Sequence, residues 1–475
     1  MPTGPQLAAL LAAQAALSAV GLQLELWREL AEAGHTPPRS PRAKFRQELH
    51  NQGGTGTAYT ATISVGGQAM EGVLDTGSYE LLVLSTRCGT CGDVGLYYDD
   101  SRSSAYEQGH LRVSHSFGSG TTWSKLAFDD VEVGPLRHER QYFWQVVGAQ
   151  MPVANSGGFQ AIVGVGPPST PRSDSLGQAQ KAEQLHQQAK ADPAFQPSED
   201  AKVVFREAQS LAEEQTLLEG FGVMSFSVCI RREAGSEGYF TWNEDDPHMQ
   251  PGLFTAVPVR GTVTWGVELT NVQMQVGGSS LHRMSIGCGG GGTCGALVDS
   301  GTSLLVLPTE AAQRALQAVD ALNSDCSNMD LLPHLVFQLD GKRFALPPDA
   351  YLGQFEGRLP DPLDRYTRRA GEGRAYRACE LLIMTMDVQT QLGPMWILGL
   401  PFFREYYTTF SLGTDIWDQA NRSIFLAESD DACRPRMPGA GPRSLAQRGL
   451  RRVDLSKVRV PRWVESAAAA GSVQL

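Results

Sequence analysis

The strongest constraint on this chain of 475 residues is a short pattern that occurs twice. Residues 72–78 read GVLDTGS, and residues 296–303 read ALVDSGTS. In both copies apolar residues lead into an aspartate, Asp75 or Asp299, and a turn of hydroxyl-bearing residues and glycine follows. The aspartates are 224 positions apart, which is enough chain for each to lie in its own lobe of a two-lobed protein.

A second pair of matching segments supports an internal duplication. Ile162-Val163-Gly164 follows the first aspartate, and Ile397-Leu398-Gly399 follows the second. Much of the remaining chain alternates apolar and polar residues in short runs that end in glycine-rich turns, as at 59–67, which is typical of strands. The sequence therefore predicts an all-β, bilobal fold with an N-terminal lobe at 51–222 and a C-terminal lobe at 223–433.

One stretch within the N-terminal lobe has a different composition. Gln, Ala, Lys and Glu dominate residues 167–220, and apolar residues recur there with the spacing of a helix. We expect a helical insertion near the lobe boundary, without chemistry of its own.

The residue types around the two aspartates suit paired carboxyl groups. The glycines allow sharp turns whose amides face the carboxylates, and the hydroxyls can hydrogen-bond to the carboxylates or between the two loops. Two adjacent carboxyls share one proton, so that one can act as a general base on water while the other polarises a carbonyl. The supporting residues predicted on this basis are Thr76, Gly77, Ser78, Ser300, Gly301 and Thr302.

A hairpin over residues 110–133 has a glycine-rich tip that includes Phe117, Gly118 and Ser119. Such a tip is typical of a mobile flap, which we expect above a cleft between the lobes.

Charge is unevenly distributed along the chain. The net charge is −11, but residues 434–475 hold nine Arg or Lys and two acidic residues, so the body is strongly acidic. An acidic body argues against nucleic acid as a partner. We expect 434–475 to be a basic disordered tail, either a solvated extension or a segment that binds a membrane surface or an acidic partner.

The first 50 residues predict targeting and processing. Residues 1–21 are rich in Ala and Leu and resemble a secretory signal segment, with a short amphipathic helix as the alternative. Residues 22–50 are a candidate pro-segment, with a disordered leader as the alternative. No other apolar run approaches the length of a membrane span, so we expect no transmembrane segment.

Eight cysteines allow 105 pairings. Cys88 and Cys91 could instead form half of a zinc site, but no second such pair and no paired histidines accompany them. Disulfides in an oxidising compartment are the preferred interpretation, and we expect no metal and no cofactor. Asn421 begins a possible N-glycosylation sequon, Asn421-Arg422-Ser423.

These motifs together resemble the pepsin-like (family A1) aspartic peptidases over about residues 55–430. The resemblance implies an endopeptidase in which Asp75 and Asp299 activate water and a peptide or protein substrate binds in extended form. It implies a monomer of the secretory pathway, either extracellular or in an acidic organelle. It also implies three disulfides, to which a fourth pair is added as an extra: Cys88–Cys91, Cys288–Cys294, Cys326–Cys379 and, as the extra, Cys229–Cys433.

Three positions depart from the family pattern. Phe117 stands where the flap usually carries Tyr, Leu82 where Trp is usual, and Leu400 where Asp is usual. These changes leave a catalytically weak or silent pepsin-fold binding protein as the alternative function. A glycosidase with paired carboxyls is a further alternative, but its chemistry does not require each acid to sit in such a turn.

Overall fold

The computed structural model describes most of the chain. The described residues are 44–92, 97–117, 120–151, 158–168, 199–250, 252–276, 283–357, 378–416, 419–437 and 451–459. The predicted signal segment and residues 22–43 of the candidate pro-segment lie outside them.

Strands make up most of the described chain. They are β1 (Phe45–Asn51), β2 (Tyr59–Val65), β3 (Gln68–Asp75), β4 (Leu81–Leu84), β5 (Glu107–Phe117), β6 (Gly120–Val133), β7 (Leu136–Gln150), β8 (Ala161–Gly164), β9 (Ser225–Ile230), β10 (Gly238–Trp242), β11 (Thr255–Pro258), β12 (Gly266–Gln275), β13 (Arg283–Gly287), β14 (Cys294–Val298), β15 (Leu305–Leu307), β16 (His334–Leu339), β17 (Lys342–Leu346), β18 (Leu352–Glu356), β19 (Ala378–Leu381), β20 (Ile383–Thr385), β21 (Gln389–Thr390), β22 (Gly393–Leu398), β23 (Tyr406–Ser411), β24 (Ser423–Glu428) and β25 (Arg452–Asp454).

Helices are few and short. The α-helices are α1 (Glu199–Leu211), α2 (Leu217–Phe221), α3 (Thr309–Ala318), α4 (Pro348–Tyr351) and α5 (Leu400–Phe403), and 3₁₀ turns lie at Gln52–Gly54, Asp100–Arg102, Pro247–Met249, Met329–Leu331, Gln419–Asn421 and Leu455–Lys457. Helices α1 and α2 fall within or beside the predicted insertion, of which residues 169–198 lie outside the described part. No helix in the described part of the chain is long and apolar enough to cross a membrane.

The strands form two large sheets and one small one. A sheet of 13 strands runs in the order β11-β24-β23-β9-β10-β1-β2-β3-β8-β4-β7-β6-β5, so that it contains strands of both halves of the chain. A sheet of nine strands is built around β12, β14 and β22, and β19, β18 and β25 form the third sheet. This architecture confirms the predicted all-β fold.

The internal duplication is visible in the strand pairing. In the first half β3 runs parallel to β8, and β8 runs antiparallel to β4. In the second half β14 runs parallel to β22, and β22 runs antiparallel to β15. In each half, the strand that leads to the aspartate therefore pairs in parallel with a strand that is itself antiparallel to a third.

Buried aromatic side chains lie where the two halves meet. Phe226 of β9 stacks on Phe240 of β10 and on Phe410 of β23, with 5.0 Å between ring centroids in each case. Trp265 packs against Phe226, and its indole N–H donates to the Val165 carbonyl at 3.1 Å. This hydrogen bond joins a residue of the second half to Val165, which directly follows the Ile162-Val163-Gly164 segment of the first half.

Strand β1 falls largely within residues 22–50, the candidate pro-segment. It pairs antiparallel with β10 and β2. Its inward positions carry Gln47 and Asn51 as well as Leu49. The Gln47 side chain accepts a hydrogen bond from the Trp242 indole at 3.0 Å, which explains how a polar residue fits there. The end of the candidate pro-segment is therefore part of the folded sheet, and its boundary at residue 50 stays a prediction.

The prediction of a disordered tail at 434–475 is wrong for residues 451–459. Strand β25 pairs in parallel with β18, and Val453 and Val458 are buried in the C-terminal lobe. These two valines supply enough apolar surface to fix a short segment between basic and polar residues. Residues 438–450 and 460–475 lie outside the described part of the chain.

Candidate active site

Each aspartate is held by its own turn. The Asp75 carboxyl accepts hydrogen bonds from the Gly77 amide at 2.9 Å and from the Ser78 hydroxyl at 2.6 Å. The Asp299 carboxyl accepts from the Gly301 amide at 2.7 Å and from the Thr302 hydroxyl. The two sets of contacts are equivalent, so the duplicated sequence produces a duplicated environment.

The two turns are locked together by Thr76 and Ser300. Each hydroxyl accepts a hydrogen bond from the other residue's amide, at 3.1 Å and 2.8 Å. The Thr76 hydroxyl also donates to the Val298 carbonyl, and the Ser300 hydroxyl donates to the Leu74 carbonyl. This cross-linking fixes the position of one carboxyl relative to the other.

Glycine is required in both turns because the carboxyls lie against it. A Cβ on Gly77 would be 2.6 Å from Cγ of Asp299, and one on Gly301 would be 2.0 Å from Oδ1 of Asp75. Each glycine thus makes room for the aspartate of the other half. These distances bring Asp75 and Asp299 side by side.

The apolar-apolar-Gly segments pass behind the turns. A Cβ on Gly164 would be 2.4 Å from the Glu80 amide nitrogen, and one on Gly399 would be 2.1 Å from the Leu304 carbonyl oxygen. Only glycine allows β8 and β22 to approach the chain so closely. The repeated motif is therefore part of the support of the pair.

Burial determines the electrostatics of the pair. Asp75 is 5% exposed and Asp299 is fully buried. Burial raises the pKa of Asp299 well above its usual range, and the adjacent Asp75 carboxyl raises this pKa further. Hydrogen bonds from Thr302 and Gly301 act in the opposite direction. The site therefore favours a proton on Asp299 at pH values where an exposed aspartate is ionised.

The predicted flap is the hairpin of β5 and β6. The strands pair up to Phe117 and Gly120, and the tip residues Gly118 and Ser119 lie outside the described part of the chain. The described part of Phe117 is its backbone at the end of β5.

A polar contact that the sequence did not predict lies at the β5–β6 hairpin. The Trp144 indole donates to the Glu80 carboxylate at 2.7 Å, and His115 Nε2 of β5 lies 3.3 Å from the same carboxylate. His115 is 1% exposed and its ring packs edge-on against Trp144. Leu82 lies opposite Trp144 in the pairing of β4 with β7. An indole thus lies beside the position at which Leu82 departs from the family pattern.

The remaining predicted sites lie away from the pair. The structure joins the eight cysteines as Cys88–Cys91, Cys229–Cys433, Cys288–Cys294 and Cys326–Cys379, the same pairs that the sequence predicted. Asn421 is exposed, and its glycosylation stays a prediction.

Taken together, two similar halves that each contribute one buried aspartate define the class of bilobal aspartic peptidases. The family model for eukaryotic aspartyl proteases matches residues 58–421, and the chain belongs to this family.

Individual relatives cover most of the chain at low identity. Pepsin A from Sus scrofa is 28% identical over 382 residues, which are 78% of this chain and 81% of the relative. Cathepsin E from Rattus norvegicus is 26% identical over 75% of this chain and 78% of the relative. A probable vacuolar protease A from Arthroderma benhamiae is 25% identical over 75% of this chain and 76% of the relative.

Proposed function

We propose that this protein is an aspartic endopeptidase and that Asp75 and Asp299 are its catalytic residues. The observation that carries the proposal is the symmetric pair, in which each carboxyl is held by a glycine amide and a hydroxyl. Family membership and relatives named as pepsin, cathepsin and protease support the same reaction class.

The pair can perform hydrolysis with one shared proton. A water molecule between the carboxyls attacks the carbonyl carbon of the peptide bond, and the ionised carboxyl takes a proton from this water. The protonated carboxyl donates its proton to the carbonyl oxygen. We assign this role to Asp299 because its pKa is raised. The tetrahedral intermediate then collapses: the carboxyl that took a proton from water gives it to the nitrogen, and the C–N bond breaks. A hydroxyl of the intermediate returns its proton to the other carboxyl, so that the pair again holds one proton.

The substrate we propose is an extended peptide beneath the β5–β6 hairpin. The compartment is the secretory pathway or an acidic organelle, which is supported by four disulfides and by the name of the vacuolar relative.

The test is hydrolysis of a random peptide library by the full chain and by Asp75→Asn and Asp299→Asn. We expect each substitution to lower the rate by at least about 10³-fold, because each removes one half of the acid–base pair. Asp320→Asn is the matched control, since Asp320 is exposed beyond α3. Full activity in either site variant would refute the assignment of the pair.

The alternative is a catalytically silent binding protein, and adding a statine-type transition-state mimic to the same assay distinguishes it. A silent binding protein would bind the mimic although the wild-type chain cleaves no peptide. Cleavage that the mimic blocks supports the enzyme.

A further inference from the structure

Residues 451–459, called here the C-terminal segment, are anchored in the C-terminal lobe. Strand β25 pairs with β18, and the Gln354 amide donates to the Arg451 carbonyl at 2.7 Å. Val453 and Val458 are 1% and 0% exposed and pack with Leu304 and other core residues. The segment is therefore a built part of the fold, although it lies beyond residue 421, where the match to the family model ends.

The C-terminal segment ends beside the second aspartate turn. The Arg459 amide donates to the Ser303 hydroxyl at 3.0 Å, and the Ser303 amide donates to the Arg459 carbonyl at 3.2 Å. Ser303 is four residues after Asp299. Both polar main-chain groups of Arg459 are thus paired with Ser303, one with its amide and one with its hydroxyl, as the backbone of a bound peptide can be paired.

The same segment contacts the other half of the chain. The Asp454 amide donates to the Thr57 hydroxyl at 3.2 Å, and the Ser303 hydroxyl donates to the Thr57 carbonyl at 2.7 Å. Thr57 lies two residues before β2. The C-terminal segment consequently crosses the junction between the two halves at the level of the site.

The Arg459 side chain is buried and feels the charges of both aspartates. It is 6% exposed, and its guanidinium carbon lies 5.6 Å from the ring centroid of Phe159. Burial lowers the pKa of Arg459 to about 10, while the charges of Asp75 and Asp299 oppose this change. The guanidinium remains positively charged in acid, and its Nε and Nη2 have no hydrogen-bond partner among the described residues. The charges of the two aspartates favour the charged form of the guanidinium at this position.

We propose that the C-terminal segment is an intramolecular ligand of the cleft that competes with the peptide substrate. The inference rests on the proposed function, because the competitor is that enzyme's substrate. Its basic character complements the acidic body of the chain. Its last described residue occupies the amide and the hydroxyl of Ser303, two polar groups that an extended peptide could otherwise bind. Molecules with the segment in place cannot bind substrate there, so the segment raises the apparent KM and leaves kcat unchanged.

The kinetic test compares Arg459→Met with Arg452→Met in the full chain. Methionine keeps an unbranched stem at residue 459 and removes the charge, whereas Arg452 is an exposed residue of the same segment and serves as the control. We expect Arg459→Met to lower KM by about tenfold at unchanged kcat, and Arg452→Met to match the wild type. A folded Arg459→Met variant with the wild-type KM would overturn the proposal.

A second measurement does not depend on catalysis. Hydrogen exchange of the 451–459 amides is followed in the wild-type chain as a statine-type mimic is added, with protection of the β5–β6 hairpin reporting that the mimic binds. Faster exchange in the segment on binding supports displacement. Bound mimic with unchanged or slower exchange overturns the proposal. If the mimic binds neither the wild type nor Arg459→Met, the proposed function itself fails, and the inference fails with it.

Discussion

Thr76 and Ser300 each use their hydroxyl to accept the backbone N–H of the other, at 2.8 Å and 3.1 Å, across the junction of the two halves. Each hydroxyl then donates to a carbonyl of the opposite strand, that of Val298 or Leu74. Every donor and acceptor in this arrangement is buried. The relative position of Asp75 and Asp299 consequently depends on two hydroxyls that do not touch the carboxyls themselves.

Thr76→Val tests this dependence. The substitution keeps the shape of the side chain but leaves the Ser300 amide and the Val298 carbonyl without their partner, which we expect to cost about 1–3 kcal/mol in the free energy of unfolding. We also expect kcat to fall because the pair loses its fixed spacing. Urea unfolding and steady-state kinetics measure the two effects. Thr62→Val, at an exposed position of β2, is the control, and equal effects in both variants would contradict the prediction.

The close approach of the Asp75 carboxyl to Gly301 predicts the effect of Gly301→Ala. The added Cβ would lie 2.0 Å from Oδ1 of Asp75, so the carboxyls must separate. We expect a loss of about 100-fold or more in kcat/KM, because misplacement of a catalytic group by about 1 Å has effects of this size. Gly89→Ala, where no atom lies within 4 Å of the new Cβ, provides the control for adding a methyl group. Activity within a factor of about two of the wild type would show that the pair tolerates displacement.

The aspartate turns and their supporting strands were predictable because their information is local and occurs twice. Strand β25 was not, because its partner β18 lies roughly a hundred residues earlier and only Val453 and Val458 mark the segment as apolar. Strand β1 was missed for a related reason. Two of its three inward residues are polar, and Gln47 is acceptable there only because Trp242 supplies a hydrogen bond.

His115 shows the same limitation inside the candidate site. It lies in a polar stretch of the β5–β6 hairpin that gives no sign of burial, but the ring is buried between elements that are distant in sequence. Glu80 follows the first aspartate turn and Trp144 lies on β7. No periodicity within the hairpin could indicate these two partners.

The contact of Trp144 with Glu80 predicts that substitution of Trp144 costs more stability than substitution of Trp123. Trp144→Phe keeps an aromatic ring but removes the buried N–H that donates to Glu80 at 2.7 Å. Because the carboxylate loses a charge-assisted hydrogen bond, we expect the free energy of unfolding to fall by about 1.5–3 kcal/mol. Trp123→Phe on β6 is the matched control, since Trp123 is 42% exposed, and its effect should stay within about 0.5 kcal/mol. Urea unfolding of both variants measures these changes. Equal effects of the two substitutions would show that Trp144 stabilises the fold by packing and not by its hydrogen bond to Glu80.

The raised pKa of Asp299 predicts how the stability of the protein depends on pH. Burial and the Asp75 charge raise this pKa above its ordinary value of 3.8, so the folded chain holds a proton that the unfolded chain releases. The resulting stabilisation is complete below the ordinary value and is lost as pH rises through the folded-state pKa. Asp299→Asn removes this titration and keeps a neutral group at the site.

We therefore expect Asp299→Asn to gain stability relative to the wild type as pH rises above 3.8. The gain is about 1.4 kcal/mol for each pH unit between the two pKa values, and it becomes constant once pH exceeds the folded-state value. Urea unfolding of both proteins from about pH 3 to 7 measures it. Asp320→Asn, at an exposed position, should differ from the wild type by the same amount throughout. A pH-independent difference for Asp299→Asn would mean that Asp299 does not hold the proton of the pair, and the general-acid role would then pass to Asp75.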